Sequence, residues 1–135
     1  MNQQQINIRS EKPKSVLVVG ASADRRKYGN RALRAYRAAG WRVLPINPKG
    51  QDIEGLRTYA SVLDAPGPAD RATIYLPPEK VLGVLEDLVR CGAREVFLNP
   101  GAESSAVIAR GTELGLPLVL ACSIVDIGRS PTHPD

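Results

Sequence analysis

Residues 15–50 carry the pattern that most restricts the fold. A short apolar run (SVLVVG) leads into a glycine-containing basic loop (ASADRRKYGN), then a helical pattern, then a second apolar run that ends in NPKG. A short apolar run bounded by turn residues is typical of a buried strand. Where such a strand passes through a glycine loop into a helix, the first N–H groups of the helix face the space beyond the strand. The segment therefore predicts a β-α-β unit with an anion site at its first loop.

The same alternation continues along the chain. Strands are predicted at residues 16–19, 42–46, 72–76, 95–98 and 117–120, and helices at 30–39, 61–63, 78–91 and 103–114. Glycines at positions 40, 92 and 115 stand where helix C-terminal caps are expected. Strands that alternate with helices indicate an α/β fold with a doubly wound, parallel, five-stranded sheet, for which we predict the strand order 3-2-1-4-5.

Length and composition indicate one folded domain. The chain has 135 residues, of which 43% are hydrophobic and 24% charged, and this is ordinary for a single globular domain. We predict that the domain spans residues 15–127, between an N-terminal lead-in at 1–14 and a polar C-terminal tail at 128–135, which we expect to be disordered.

Charge and cysteine content exclude several classes of protein. Much of the positive charge in the net charge of +4 lies between Arg25 and Arg42, which suits a small anionic ligand better than a nucleic acid. Two cysteines make no disulfide framework, and no apolar segment opens the chain, so we expect a cytoplasmic protein. No apolar run approaches the ~20 residues of a membrane-spanning helix.

Catalytic and metal-binding groups are sparse. The single histidine, His133, lies in the predicted tail, which leaves no Ser/His/Asp triad, Cys/His pair or zinc site in the body of the domain. The carboxylates show no paired spacing that would mark an acid/base couple. We therefore predict no catalytic or metal residues, and binding is favoured over catalysis.

The first loop offers several groups to an anion. Gly20 permits a sharp turn after the first strand, and Ser22 supplies a hydroxyl and an amide. Of three successive basic residues at positions 25–27 at least one must face water, and we favour Lys27 as the ligand contact. The loop lacks the second and third glycines of the G-x-G-x-x-G fingerprint. The alternative interpretation is a glycine turn with a solvated basic loop.

The loop after the second strand narrows the ligand class. An NAD site would place a carboxylate there to hold the ribose diol, but this chain has Asn47, Pro48 and Lys49. A lysine at this position suits a phosphorylated ribose, which NADP and coenzyme A (CoA) share. An ordinary Asn-Pro-Lys turn is the alternative.

Three further loops are predicted to reach the same rim of the sheet. The Leu76-Pro77-Pro78 segment either forms a flat wall for an adenine or pantetheine group or simply starts a helix. Residues 99–101 (Asn-Pro-Gly) either contact the second half of a ligand or cap a helix. Cys122 is either a small packed residue or a thiol that meets a ligand thiol.

Taken together in order, these motifs resemble a known family. The chain is similar to the small bacterial and archaeal CoA-binding proteins, relatives of the CoA-binding domain in the α subunit of succinyl-CoA synthetase. The resemblance spans residues 15–128 and rests on VVGAS at 18–22, KYGN at 27–30, AGWRVLPINPKG at 39–50, FLNPGAES at 97–104 and ACSIVDIG at 121–128.

The resemblance implies a Rossmann-like CoA-binding domain. It implies that the first loop holds the diphosphate and that the loop after the second strand meets the 3′-phosphate and adenosine, with residues 75–77 near the adenine. Synthetase chemistry does not carry over, because it uses a phosphorylated histidine in another domain. The complete set of predicted cofactor-binding residues is Gly20, Ala21, Ser22, Arg25, Lys27, Tyr28, Gly29, Asn47, Pro48, Lys49, Tyr75, Leu76, Pro77, Asn99, Pro100, Gly101 and Cys122.

The predicted function is non-catalytic binding of CoA or an acyl-CoA, in a carrier, sensor or regulatory role. The alternative is an NADP-dependent oxidoreductase or an NADP-sensing domain. The predicted partner is a small nucleotide cofactor and not a membrane. A nucleic-acid-associated regulator is the third and least favoured hypothesis. Pairing into a homo-oligomer is a further expectation for a single-domain protein of this size.

Overall fold

The apolar runs of the sequence form one parallel sheet with helices on both faces. A computed structural model describes residues 12–135, so most of the predicted N-terminal lead-in lies outside the described residues. No helix among residues 12–135 is long and apolar enough to cross a membrane. In chain order the elements are β1 (Ser15–Val19), α1 (Tyr28–Ala38), β2 (Arg42–Ile46), β3 (Arg71–Ile74), α2 (Pro78–Leu82), α3 (Leu85–Cys91), β4 (Val96–Leu98), α4 (Ser105–Glu113), β5 (Leu118–Leu120) and α5 (Ser123–Asp126).

Alternating side chains of the strands fill two hydrophobic layers. Val16 and Val18 of β1 face α1 and α5, where they pack with Leu33 and Ile124. Leu17 and its equivalents on the other strands face α2, α3 and α4. All neighbouring strands pair in parallel, and the prediction of a doubly wound parallel α/β domain is confirmed.

The predicted strand order of 3-2-1-4-5 is wrong. The observed order is β2-β1-β3-β4-β5, so β3 lies between β1 and β4. Pro45 in β2 explains the difference, because proline has no N–H for a further strand and belongs at a sheet edge. At that edge the N–H of Tyr59 donates to the Pro45 carbonyl at 2.9 Å. The four residues of β3 are all buried, as suits an interior strand.

Two helix predictions also need correction, and one helix was not predicted. The predicted helix at 78–91 is two helices, α2 and α3, because the N–H groups of Gly83 and Val84 bond to carbonyls three residues back, in Lys80 and Val81, instead of four. Residues 61–63 form a turn rather than a helix, and the four-residue α5 has too short a sequence signal to be predicted. The glycines at positions 40, 92 and 115 do adopt the left-handed conformation expected of helix caps.

The C-terminal tail packs against the domain instead of extending from it. The carboxylate of Asp135 accepts a hydrogen bond from the guanidinium of Arg34 at 2.8 Å, and Pro134 is buried. These contacts bring the tail to the start of α1, beside the first loop.

Candidate functional site

A cleft of about 1240 Å³ opens at the carboxyl ends of the strands. It exceeds the roughly 300–1,000 Å³ that is usual for small-molecule sites, so it has room for a long ligand. The loops after β1, β2, β3, β4 and β5 all contribute to its walls. Among the predicted cofactor-binding residues, those that line it are Gly20, Ala21, Ser22, Lys27, Tyr28, Gly29, Asn47, Pro48, Lys49, Tyr75, Leu76, Pro77, Asn99, Pro100, Gly101 and Cys122.

Two glycines let the backbone pack closely at the floor of the cleft. Gly20 has a φ of 94°, and a Cβ there would lie 2.5 Å from the carbonyl oxygen of Tyr75. A Cβ on Gly29 would lie 2.1 Å from the carbonyl oxygen of Gly20. Both distances are too short for a side chain. In the dinucleotide fingerprint G-x-G-x-x-G, the third glycine allows the helix to pack closely on the strand. Gly29 has the same role here, although it lies further from the first strand than that third glycine would.

The first turn of α1 presents N–H groups to the cleft. Lys27 is the N-cap residue, and no side chain caps the helix there. The N–H groups of Tyr28 and Gly29 have no acceptor within the helix, because the first turn has none, and both residues line the cleft. The first turn contains no acidic residue, so the positive end of the helix dipole is uncompensated by α1 itself.

The buried side chain of Asn30 holds the first loop against α1. Its Nδ2 donates to the carbonyl of Ser22 at 2.8 Å and to Glu54 at 3.3 Å. Its Oδ1 accepts from Nε of Arg34 at 2.8 Å. Asn30, Arg34 and Glu54 were not predicted from the sequence as site residues. Asn30 stands in the KYGN motif, and that motif was the available signal.

Asn47 ties the second loop to the first. Its Nδ2 donates to the carbonyl of Ala21 at 2.8 Å, and its Oδ1 accepts from the N–H of Lys49 at 2.9 Å. The side chain of Asn47 is therefore engaged by the protein, whereas Lys49 is exposed at the cleft.

The three basic residues of the first loop lie in different surroundings. Arg25 is outside the cleft and binds Glu54 at 2.5 Å. The guanidinium of Arg26 donates hydrogen bonds to both carboxylate oxygens of Asp24. This side-chain hydrogen bonding lowers the pKa of Asp24 to about 2. Lys27 alone of the three lines the cleft.

The wall formed by β3 and β4 is stabilised by Asn99. Its Nδ2 donates to Thr73 and to the carbonyl of Ile74, at 2.8 and 2.9 Å, and its Oδ1 accepts from the N–H of Ser123 at 2.8 Å. This use is structural, so a hydrogen bond from residues 99–101 to a ligand would come from the main chain, while the exposed ring of Pro100 offers apolar surface. Nearby, burial raises the pKa of Tyr75, whose hydroxyl is buried without a partner among residues 12–135.

Several lining residues were not predicted from the sequence. Lys80 of α2 adds a third lysine, Asp87 of α3 adds a carboxylate, and Pro131 of the C-terminal tail closes one side. Helical spacing marked α2 and α3 only as apolar elements and gave no reason to assign their polar residues to the cleft. Within the described range 12–135, no three His, Cys, Asp or Glu residues come together in a group that could hold a metal ion.

Comparison with known proteins agrees with this geometry. The family model described as CoA binding domain matches residues 14–128. The chain belongs to the CoA binding domain family. The family predicted from the sequence motifs is thereby confirmed.

Members of known identity place this CoA-binding domain within much longer proteins. An ADP-forming acetate–CoA ligase of Methanocaldococcus jannaschii is 35% identical over 76% of this chain, which spans 14% of that protein's length. A dinucleotide-forming acetyl-coenzyme A synthetase of Ca. Korarchaeum cryptofilum, solved with phosphate and ADP, matches with a TM-score of 0.70 and 32% identity; the match covers 82% of this chain and 26% of the other.

A stand-alone protein has the same fold. The structure of a conserved hypothetical protein from Pyrococcus furiosus matches with a TM-score of 0.76 and 34% identity, over 85% of this chain and 99% of the other. The fold therefore occurs both within longer enzymes and in a protein of about this size.

Substitution of Gly29 by alanine should disrupt the floor of the cleft. The Cβ of Gly29→Ala would overlap the carbonyl of Gly20, so we expect a loss of at least about 2 kcal/mol in the free energy of unfolding, measured by urea denaturation. The control is Gly83→Ala, where φ is −74° and the nearest contact is 3.4 Å. A loss of equal size in both variants would contradict the close-packing role.

Stability should depend on pH through Glu54. Burial alone raises the pKa of Glu54, but hydrogen bonds from Asn30 and Arg25 outweigh it and lower the pKa below its usual 4.5. A pKa lowered by folding contributes stability that is complete above the usual value and is lost as the pH falls through the lowered one.

The free energies of unfolding of wild type and Glu54→Gln should therefore differ most near neutral pH, and the difference should shrink below pH 4.5. Urea denaturation across this range measures it. Glu79→Gln, which removes a carboxylate with no ion-pair partner among residues 12–135, is the control and should follow wild type. A difference between wild type and Glu54→Gln that stays constant with pH would be evidence against the ionic role.

Proposed function

We propose that the cleft binds CoA or an acyl-CoA without turning it over, in a carrier, sensor or regulatory role. The observation that carries this proposal is the convergence of three lysines, Lys27, Lys49 and Lys80, and the N-terminus of α1 on one cleft. CoA has phosphate at two separate places, and the lysines stand on three different elements around the cleft. Membership of the CoA binding domain family supports CoA as the ligand.

The residues of the cleft fit a ligand of this chemistry. The volume of about 1240 Å³ leaves room for an extended molecule with a long flexible arm. At the floor of the cleft the backbone of Gly20 packs against Tyr75 and that of Gly29 packs against Gly20, and a Cβ on either glycine would fill this space. The lining also combines lysines with apolar side chains such as Val62 and Val84, which suits an anionic nucleotide joined to a less polar arm.

The diphosphate belongs, in this proposal, at the first loop. The N–H groups of Tyr28 and Gly29 and the ammonium group of Lys27 lie at the edge of the cleft formed by that loop. Ser22 accepts a hydrogen bond from the N–H of Asp24 at 3.0 Å, which leaves its own O–H free to donate. Helix N-termini bind phosphate through such N–H donors and the helix dipole.

The 3′-phosphate is assigned to Lys49. The hydrogen bond from the Lys49 N–H to Asn47 fixes the turn, and the side chain is exposed at the cleft. No carboxylate follows β2 within residues 47–49 to receive an unphosphorylated ribose. The same feature would suit NADP, so an NADP-sensing or NADP-dependent role is the second candidate, and the titrations below separate the two.

The adenine is assigned to the wall formed by Tyr75, Leu76 and Pro77, and the thiol end to the region of Gly101 and Cys122. Pro77 is the N-cap of α2 and has no N–H to donate, so this wall offers apolar surface and carbonyl groups. Cys122 is half-buried at the start of α5 and lines the cleft.

The assignment of Lys49 predicts selectivity for the 3′-phosphate. In calorimetric titrations, wild type should bind CoA more tightly than dephospho-CoA, and Lys49→Gln should weaken CoA binding about tenfold, the usual scale for one charged hydrogen bond. Dephospho-CoA should bind to wild type and variant alike.

Lys12→Gln is the matched control, because it removes the same charge from an exposed lysine outside the cleft. Equal affinity of wild type for CoA and dephospho-CoA would refute the role of Lys49. Tight binding of NADP with no binding of CoA would favour the second candidate.

The assignment of the thiol end predicts that Cys122 lies within reach of the CoA sulfur. With CoA disulfide as the reagent, the Cys122 thiolate would attack one sulfur, form a mixed disulfide and release one molecule of CoA thiol. Intact mass should rise by one CoA unit in wild type and in Cys91→Ser, but not in Cys122→Ser. Cys91 lies outside the cleft and burial raises its pKa, so modification that persists in Cys122→Ser would contradict this placement.

A further inference from the structure

Residues 129–135, here called the C-terminal strap, fold back on the domain at both of their ends. The N–H of Arg129 donates to the carbonyl of Ile124 at 3.1 Å, and its Nε donates to the carbonyl of Pro134 at 3.0 Å. Hydrogen bonds around Ser130 close a turn within the strap. The strap lies beyond residues 14–128, which the family model matches, so family membership does not account for it.

The far end of the strap neutralises a buried cation. The side chain of Arg34 is only 10% exposed, and its Nη1 lies 2.8 Å from the carboxylate of Asp135. A buried guanidinium needs a paired carboxylate, because its desolvation is otherwise costly. Asp135 also lies 3.9 Å from the guanidinium of Arg25.

The guanidinium of Arg34 also contacts the first loop. Its Nη2 donates to the carbonyl of Arg25 at 3.2 Å, and its Nε donates to Asn30 at 2.8 Å. Asn30 in turn donates to the carbonyl of Ser22. Arg34 therefore acts on two points of the loop, and the loop begins at the floor of the cleft.

The strap also reaches the cleft directly. Pro131 is one of the lining residues and lies on the strap between its two anchored ends. A break in the pair of Asp135 and Arg34 would leave the end that follows Pro131 held only by its remaining contacts, such as the hydrogen bond from Arg129 to Pro134. The ion pair between Asp135 and Arg34 therefore bears on two features of the cleft, the position of Pro131 at its side and the conformation of the first loop.

We propose that Asp135 is a positioning residue for the ligand site. Through Arg34 it holds residues 20–29 in the conformation that receives a phosphorylated ligand, and through the strap it keeps Pro131 at the side of the cleft. The effect on CoA affinity rests on the proposed function, whereas the effect on the loop does not.

The test compares Asp135→Asn with wild type by two measurements. Without ligand, amides of residues 20–29 should exchange hydrogen several-fold faster in the variant, whereas amides of β3, which is fully buried, should exchange at the wild-type rate. In calorimetry, the variant should bind CoA about fivefold more weakly, equivalent to about 1 kcal/mol.

Two further variants sharpen the result. Asp64→Asn removes an exposed carboxylate that has no ion-pair partner among residues 12–135, and it should behave as wild type in both measurements. Asp135→Glu keeps the charge and should recover at least part of the exchange protection and the affinity. If Asp135→Glu behaves as Asp135→Asn, the carboxylate is not the positioning group and the proposal is overturned.

The remaining outcomes separate this proposal from the proposed function. Wild-type exchange and wild-type CoA affinity in Asp135→Asn would overturn the positioning role and leave CoA binding intact. Faster exchange at residues 20–29 in Asp135→Asn, in a protein whose wild type binds no CoA, would support the contact and refute the proposed function. Equal acceleration in β3 and in the loop would show general destabilisation and overturn the proposal.

Discussion

α1 begins with its backbone in contact with the end of β1, and the rest of the site depends on this contact. A side chain at Gly29 would overlap the carbonyl of Gly20, so the helix can approach the strand closely only with glycine there. The approach places the first-turn N–H groups at the cleft and buries the next residue, Asn30, completely. Asn30 can then bind the loop from inside, through the carbonyl of Ser22. One steric condition therefore sets the positions of the helix, the loop and the residue that connects them.

Amide side chains hold the loops of the cleft in place. Asn30, Asn47 and Asn99 each connect main-chain groups of different loops or elements. A buried amide that loses such partners costs free energy, so these contacts favour a single loop arrangement. Their side chains are consequently committed to the protein. Main-chain N–H groups and lysine side chains are among the groups left to meet a ligand, and both recognise phosphate readily.

The sequence was sufficient for the five strands and for the loops at the rim of the cleft. Short apolar runs located the five strands. Ligands bind beyond the carboxyl ends of parallel strands, and this rule identified the loops that line the cleft. The strand order was wrong, although Pro45 in β2 was an available signal for an edge strand. The predicted order placed β2 between two strands, where the missing N–H of that proline would interrupt the hydrogen bonds of the sheet.

The remaining differences concern contacts between residues distant in the sequence. Arg25 was predicted to meet the ligand because it stands in a basic loop, but Glu54 occupies its side chain. The contacts of Asn99 with Thr73 and Ser123 cross three elements, and no local pattern indicates them. Local periodicity describes single helices and strands, whereas such pairs depend on how those elements pack.

The arrangement of charge in the cleft also bears on the kinetics of binding. Three lysines and one aspartate line it, in a chain with a net charge of +4. A positive concave surface accelerates the encounter with any anionic nucleotide, and salt weakens this attraction. Such a field distinguishes poorly between nucleotides of similar charge. Discrimination must then arise after the encounter, when poorly matched ligands dissociate sooner than a ligand that fills the whole cleft.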